Sequence, residues 1–147
     1  MSYQASELLS SSRVEVAAET FTLISMDRAA WKKLLERPEL SPRMSAPFMI
    51  LMDAREVTLL LDDADMDAIR PGIDDSMKVE RGFRMLTFDI EMDFEVVGFI
   101  AEVSRILAAA GVPILPLSAF SRDHILVKQN NLATTLRALG PHVADLC

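Results

Sequence analysis

The chain of 147 residues has one cysteine, the final residue Cys147, and two histidines, His124 and His142. A lone thiol cannot form an internal disulfide framework or a cysteine-based zinc site, and it fits a reducing compartment. The two histidines are far apart in sequence and have no third ligand at zinc-like spacing, so no metal site is expected. Positive charge is scarce: 15 Lys and Arg stand against 22 Asp and Glu, a formal charge of −7. An acidic surface repels phosphate backbones and anionic lipid, which argues against nucleic acid and membranes as partners. No apolar run approaches the roughly 20 residues that a span requires. Met1 to Arg13 lacks the basic start and apolar run of a signal peptide. The expected location is the cytoplasm. Also missing are a nucleophile elbow, a phosphate loop, an HExxH helix and a dinucleotide fingerprint. No spacing of Ser, His and Asp nominates a triad, and a terminal Cys147 makes a poor nucleophile. The sequence therefore nominates no catalytic residue and no cofactor, and the expected role is not enzymatic.

Half of the residues are hydrophobic, enough for a core in one ordinary domain or two very small ones. Two parts of the chain resemble each other at an offset of 67 residues. Thr20-Phe21-Thr22-Leu23-Ile24 falls on Thr87-Phe88-Asp89-Ile90-Glu91. Ala54-Arg55-Glu56-Val57-Thr58-Leu59-Leu60 falls on Ser121-Arg122-Asp123-His124-Ile125-Leu126-Val127. Two repeats of about 65 residues would use almost the whole chain. Residues 1–13, with Ser10, Ser11 and Ser12, read as a flexible leader, a frayed helix or disorder. Repeat 1 then covers 14–80 and repeat 2 covers 81–147.

Repeat 2 is the clearer copy. Arg84 to Met92 alternates as a strand does. Asp93 is placed to cap a helix, and from Phe94 the residues Val96, Val97, Ile100, Val103, Ile106 and Leu107 recur near a 3.6 period. Gly111 and Pro113 end that helix. Val112 to Ala119 and His124 to Lys128 read as strands around a polar turn. Asn131 is placed to cap a second helix, Gly140-Pro141 stops it, and Val143 to Leu146 reads as a final short strand. Repeat 1 follows the same order. Phe21 to Ser25 is a strand, and Asp27 caps a short helix. Pro47 to Asp53 and Val57 to Leu61 form a hairpin. Asp62 or Asp63 starts a second helix that Pro71-Gly72 ends, and Met77 to Glu80 closes the repeat, with Arg81-Gly82 as linker. The expected fold class is α+β: two ferredoxin-like βαββαβ repeats packed together.

Phe94 to Leu139 resembles an ACT domain, and more narrowly the tandem ACT proteins related to the CASTOR arginine sensors and their small bacterial relatives. The residues that carry this are Asp93-Phe94-Glu95-Val96-Val97-Gly98-Phe99-Ile100, Leu107-Ala108-Ala109-Ala110-Gly111-Val112-Pro113-Ile114, and Leu117 to Val127. Val79 to Leu86 is similar to the family's linker between copies. Two positions depart from the family pattern: Ala119, where it often has Thr, and His124, where it usually has Tyr or Phe. The resemblance implies regulation by a small molecule, usually an amino acid, bound where two ACT units meet. It also implies a homodimer and a regulated protein partner. Carried onto this chain, the ligand-binding positions are Asp93, Phe94, Glu95, Val96 and Gly98 on the strand-to-helix loop. On the neighbouring hairpin they are Ser118, Ala119, Phe120 and Asp123. Gly98 would let a carboxylate approach the helix start, and Asp123 would hold an ammonium or basic group.

Each position also has a plainer reading. Asp123 sits in a turn, where Asp bonds to nearby backbone. Close helix packing would explain Gly98 as well as a ligand does. Phe94, Phe99 and Phe120 are read as core or interface residues. Asp63-Ala64-Asp65-Met66-Asp67 resembles the start of a calcium loop, but Ala68 stands where that loop needs Gly. These acids read instead as first-turn charges on a helix. The competing reading of the whole chain is a protein-interaction module whose ligand pocket has decayed.

Overall fold

The computed structural model describes residues 3–147. In chain order its elements are α1 (Tyr3–Ser11), β1 (Arg13–Val16), β2 (Phe21–Met26), α2 (Arg28–Leu35), β3 (Met49–Met52) and β4 (Val57–Asp62). Then come α3 (Asp63–Ile69), β5 (Lys78–Asp89), α4 (Phe99–Ala109), β6 (Leu115–Ser118), β7 (Asp123–Lys128), α5 (Leu132–Leu139) and β8 (Asp145–Leu146). The chain folds as two compact units. One is Glu19–Gly82, called the inserted unit below. The other joins residues 3–18 to Phe83–Cys147 and is called the split unit. Each carries the βαββαβ order of a ferredoxin-like α+β fold.

In the inserted unit, β4 lies between β2 and β3, antiparallel to both. Alternation along these strands sends Ile24, Met26, Val57, Leu59 and Leu61 to one buried face. There they meet Leu34 of α2 and Met66 and Ile69 of α3. Both helices start at an aspartate in extended conformation. Asp27 accepts from the Ala30 N–H at 2.8 Å, and Asp62 accepts from the Asp65 N–H at 2.8 Å. Each bond satisfies a first-turn donor that the helix itself leaves unpaired. Pro71 lies in the 3-10 turn Arg70–Gly72 that ends α3. Within the acidic run, Asp65 is buried and its Oδ1 accepts from both the backbone N–H and the Nε of Arg43. An arginine therefore supplies the positive charge that the calcium-like pattern would have left to a cation.

In the split unit the strand order is β6-β7-β5-β1-β8. In a βαββαβ unit the place beside the first strand belongs to the fourth strand of the same repeat. Here β1 takes that place, antiparallel to β5 in the register Arg13↔Asp89 to Val16↔Leu86. The short β8 lies parallel to β1 on its outer side. Bonds from Ala144 N–H to Ser12 O (2.9 Å) and from Cys147 N–H to Val14 O (2.8 Å) fix that pairing. The core joins Leu86 and Phe88 of β5 to Val103, Ile106 and Leu107 of α4, Ile125 and Val127 of β7, and Leu139 of α5.

Several expectations are corrected. The leader 1–13 is not loose over its described part, and its first two residues lie outside the described ones. Residues 3–11 form α1, and Leu9, 2% exposed, enters the split unit's core with Val14. Ala5, Leu8 and Leu9 share one helical face, and burying it holds the segment. Residues 13–16 belong with Phe83–Cys147 rather than with the repeat expected over 14–80. The strands expected at Met77–Glu80 and Arg84–Met92 are one element, β5. The strand expected over Val112–Ala119 is confined to Leu115–Ser118. Asn131 precedes α5 but makes no side-chain cap.

Candidate functional site

The site begins where β5 leaves the sheet of the split unit. The chain does not turn directly into a helix at Asp93. It runs through Ile90–Gly98, and α4 starts only at Phe99. Gly98 precedes it with φ 87° and ψ 8°, the left-handed region that glycine enters without a Cβ clash. A helix cannot extend backwards through a residue so placed, which is why the apolar pattern at Val96 and Val97 is not helical. Gly98 O accepts from the Glu102 N–H at 2.9 Å, and no side chain caps this helix. The Asp93 side chain instead accepts from the Glu95 N–H at 3.0 Å and closes a local turn.

The hairpin between β6 and β7 faces this loop. It is closed by a bond from Ala119 N–H to Arg122 O at 2.9 Å, and Ser118 Oγ donates to Asp123 Oδ1 at 2.7 Å. Met92 N–H donates to Ser121 O at 2.9 Å and fastens loop to hairpin. Arg122 Nε donates to Asp89 Oδ1 at 2.9 Å, with Glu91 Oε1 3.8 Å from its Nη2. The guanidinium is thus held by two acids at the end of β5. Phe94 and Phe120 meet edge to face with centroids 4.9 Å apart.

Between loop and hairpin lies a cleft of about 370 Å³. Eight of the nine residues nominated from sequence line it: Asp93, Phe94, Val96, Gly98, Ser118, Ala119, Phe120 and Asp123. Glu95 does not line it, because its side chain lies exposed outside the Asp93 turn. Sequence reasoning did not nominate Met92, Phe99, Ile100, Ser121 or Arg122, which also line it. Arg122 carried a readable signal, being a cation inside a polar turn beside Asp123. Phe99 is buried as expected and packs edge to face on Phe88 at 5.4 Å. Phe94 and Phe120 are not core: they are 78% and 80% exposed. His124 is half-buried, with Nδ1 2.8 Å from Thr87 Oγ1. Burial pushes its pKa down, while Asp123 pulls it up and Arg122 pushes it down.

The matching corner of the inserted unit is built differently. Asp27 alone separates β2 from α2, and its side chain caps the helix. Glu56, the repeat mate of Asp123, accepts from Ser25 Oγ at 2.6 Å. Asp53 Oδ1 accepts from the N–H groups of Arg55 (2.7 Å) and Glu56 (2.8 Å), which hold its carboxyl below the usual carboxylate range. Arg28 Nη2 donates to Asp53 O at 3.1 Å. Among the described residues, no three His, Cys, Asp or Glu side chains gather as a metal-holding group. No helix among them is long and apolar enough to cross a membrane.

Residues 78–140 match the family model described as ACT domain, and the site's loop and hairpin both lie within the matched residues. Among curated proteins, none matches the chain. Among solved structures, a protein from Agobacterium tumefaciens aligns with TM-score 0.67 at 18% identity, covering 93% of this chain and 92% of its own. A Vibrio cholerae protein described as of unknown function and a possible transport protein aligns with TM-score 0.65 at 23% identity, covering 92% and 94%. The regulatory subunit of aspartate kinase from Thermus thermophilus aligns with TM-score 0.63 at 10% identity, covering 91% and 97%. At these identities the likeness is one of fold.

Proposed function

We propose that the chain is a non-catalytic regulatory protein of the tandem ACT kind, similar to the CASTOR-like and small bacterial members. In this reading it binds an amino acid at the cleft between Asp93–Gly98 and Ser118–Asp123. The observation that carries it is the uncapped start of α4 at a left-handed Gly98, open to a cleft whose opposite wall presents Asp123. An α-carboxylate suits the first-turn N–H groups of α4, where the helix dipole adds to hydrogen bonding. An α-ammonium suits the Asp123 carboxylate. Binding does no chemistry; it shifts an association or partner-binding equilibrium. Phe94, Phe120 and Val97, the last 69% exposed, form an apolar patch beside the cleft. We assign its cover to a second copy of the chain, which makes the working form a cytoplasmic homodimer. The regulated target is a separate protein.

The test is a thermal-shift screen of the purified protein against the common amino acids. A ligand at about 100 times its Kd stabilises by roughly 2.7 kcal/mol, a shift of about 5 °C for a chain of this size. One amino acid should give that shift, and Asp123→Ala should remove it. No shift from any of them transfers the role to protein interaction through the exposed patch.

A further inference from the structure

We propose that the inserted unit holds a second, separate binding site, for a small uncharged apolar molecule. It lies far along the sequence from Asp93–Asp123 and does not rest on the amino-acid reading. A cavity of about 210 Å³ opens between α2, the turn that follows it and the sheet. Trp31 and Leu35 of α2, Leu40 of the turn, and Ile50 and Leu61 of the strands are among the residues that line it. The only polar side-chain groups among its lining residues are the Ser41 hydroxyl and the Trp31 indole N–H. Charged side chains are absent from the lining, so an ion would lose its hydration with nothing in return.

The walls hold their shape. Leu34, Leu40, Leu59 and Leu61 are core residues of this unit. A Cβ added at Gly72 would run into Leu34 and Leu40, so that side is already close-packed. The segment after the turn is pinned from outside, where Arg43 holds the buried Asp65 with both its backbone N–H and its Nε. The space is therefore not removed by collapse of the lining. An apolar cavity of about 150 Å³ takes up benzene, and this one is larger. Its occupant is an aliphatic or aromatic molecule of about that size, with at most one hydroxyl-bonding group directed at Ser41.

The chain's one tryptophan lines this cavity, so its fluorescence reports occupancy directly. The experiment titrates the full chain with benzene and reads Trp31 emission and Tm. A saturable emission change with a rise in Tm is expected. Ile50→Phe narrows the cavity from the edge strand, where the residue is largely exposed and folding tolerates the larger ring. It should raise the benzene Kd at least about tenfold, the change produced by roughly 1.4 kcal/mol. Leu35→Phe, at a still more exposed lining position, should do the same. Asp123→Ala should leave the benzene titration unchanged. Emission unaltered up to the solubility limit, or binding indifferent to both cavity variants, would overturn the proposal. So would benzene converting a dimer into a monomer, since that would show the cavity filled by a side chain of a second copy.

Discussion

In the inserted unit one residue, Asp27, stands between β2 and α2. In the split unit nine residues, Ile90–Gly98, stand between β5 and α4. The same corner of the same fold is thereby given two finishes. Asp27 places a carboxylate where an anionic ligand would go, and Ser25, Arg28 and Asp53 close the neighbouring hairpin with internal bonds. The longer connection of the split unit leads into a glycine that offers no side chain to its helix. Its Asp123 carries one bond from Ser118. The comparison teaches that helix capping and ligand binding compete for the same first-turn donors. In the inserted unit the cap takes a first-turn donor, although a crevice of about 250 Å³ lined by Ser25, Asp27 and Glu56 stands beside it; in the split unit no side chain takes the donors of α4.

Four experiments break or sharpen this contrast. The largest effect is expected from Leu9→Ala, which empties a core position that α1 brings to the split unit. It should cost about 3 kcal/mol. Hydrogen exchange should show protection lost first in Phe83–Cys147 and not in Glu19–Gly82; uniform loss would contradict the two-unit description. Next, Gly98→Ala forces an alanine into the left-handed region at a cost of about 1 kcal/mol. It should also weaken any amino-acid shift, because the start of α4 must move. Asp27→Ala, its counterpart, should cost about 1 kcal/mol by removing a cap, and leave ligand response untouched. Denaturant unfolding read beside the thermal shift separates the two.

The smallest effect concerns pH. Burial holds His124 below the ordinary imidazole value, so the fold favours its neutral form. Its contribution is complete above about pH 6.5, the unfolded value, and is lost as pH falls through the lower folded value. Tm should drop between pH 7.5 and 5.5, and His124→Gln should flatten that drop by a few tenths of a kcal/mol, as suits a half-exposed group.

Much of the split unit's candidate cleft was legible through the family resemblance, which carried the strand-to-helix loop and the hairpin onto this chain. The polar turn at Phe120–Asp123, a glycine in an apolar run, and the resemblance together pointed to eight of the cleft's residues. The start of α4 was not legible, since Val96 and Val97 extend the 3.6 period backwards past Gly98. Periodicity cannot tell a helix from a loop that happens to match it. The role of residues 3–16 was hidden for another reason. Their apolar face is short and interrupted by Ser10, Ser11 and Ser12. The pairing of Arg13–Val16 with Leu86–Asp89 joins residues 70 to 76 positions apart in the chain. Only tertiary packing decides such a pairing. The aspartate caps of the inserted unit, by contrast, are local: Asp27 caps as expected, and of the two candidates Asp62 and Asp63 it is Asp62 that caps α3.

The most direct test sets Asp123→Ala beside Glu56→Ala in calorimetric titrations with the amino acid that shifts the parent protein. The two acids are repeat mates, and each accepts from a serine, Asp123 from Ser118 and Glu56 from Ser25; they differ in the neighbouring helix start, uncapped at Gly98 and capped by Asp27. The account predicts that Asp123→Ala abolishes binding while Glu56→Ala leaves stoichiometry and Kd unchanged. Equal losses from both, or a loss from Glu56→Ala alone, would contradict it.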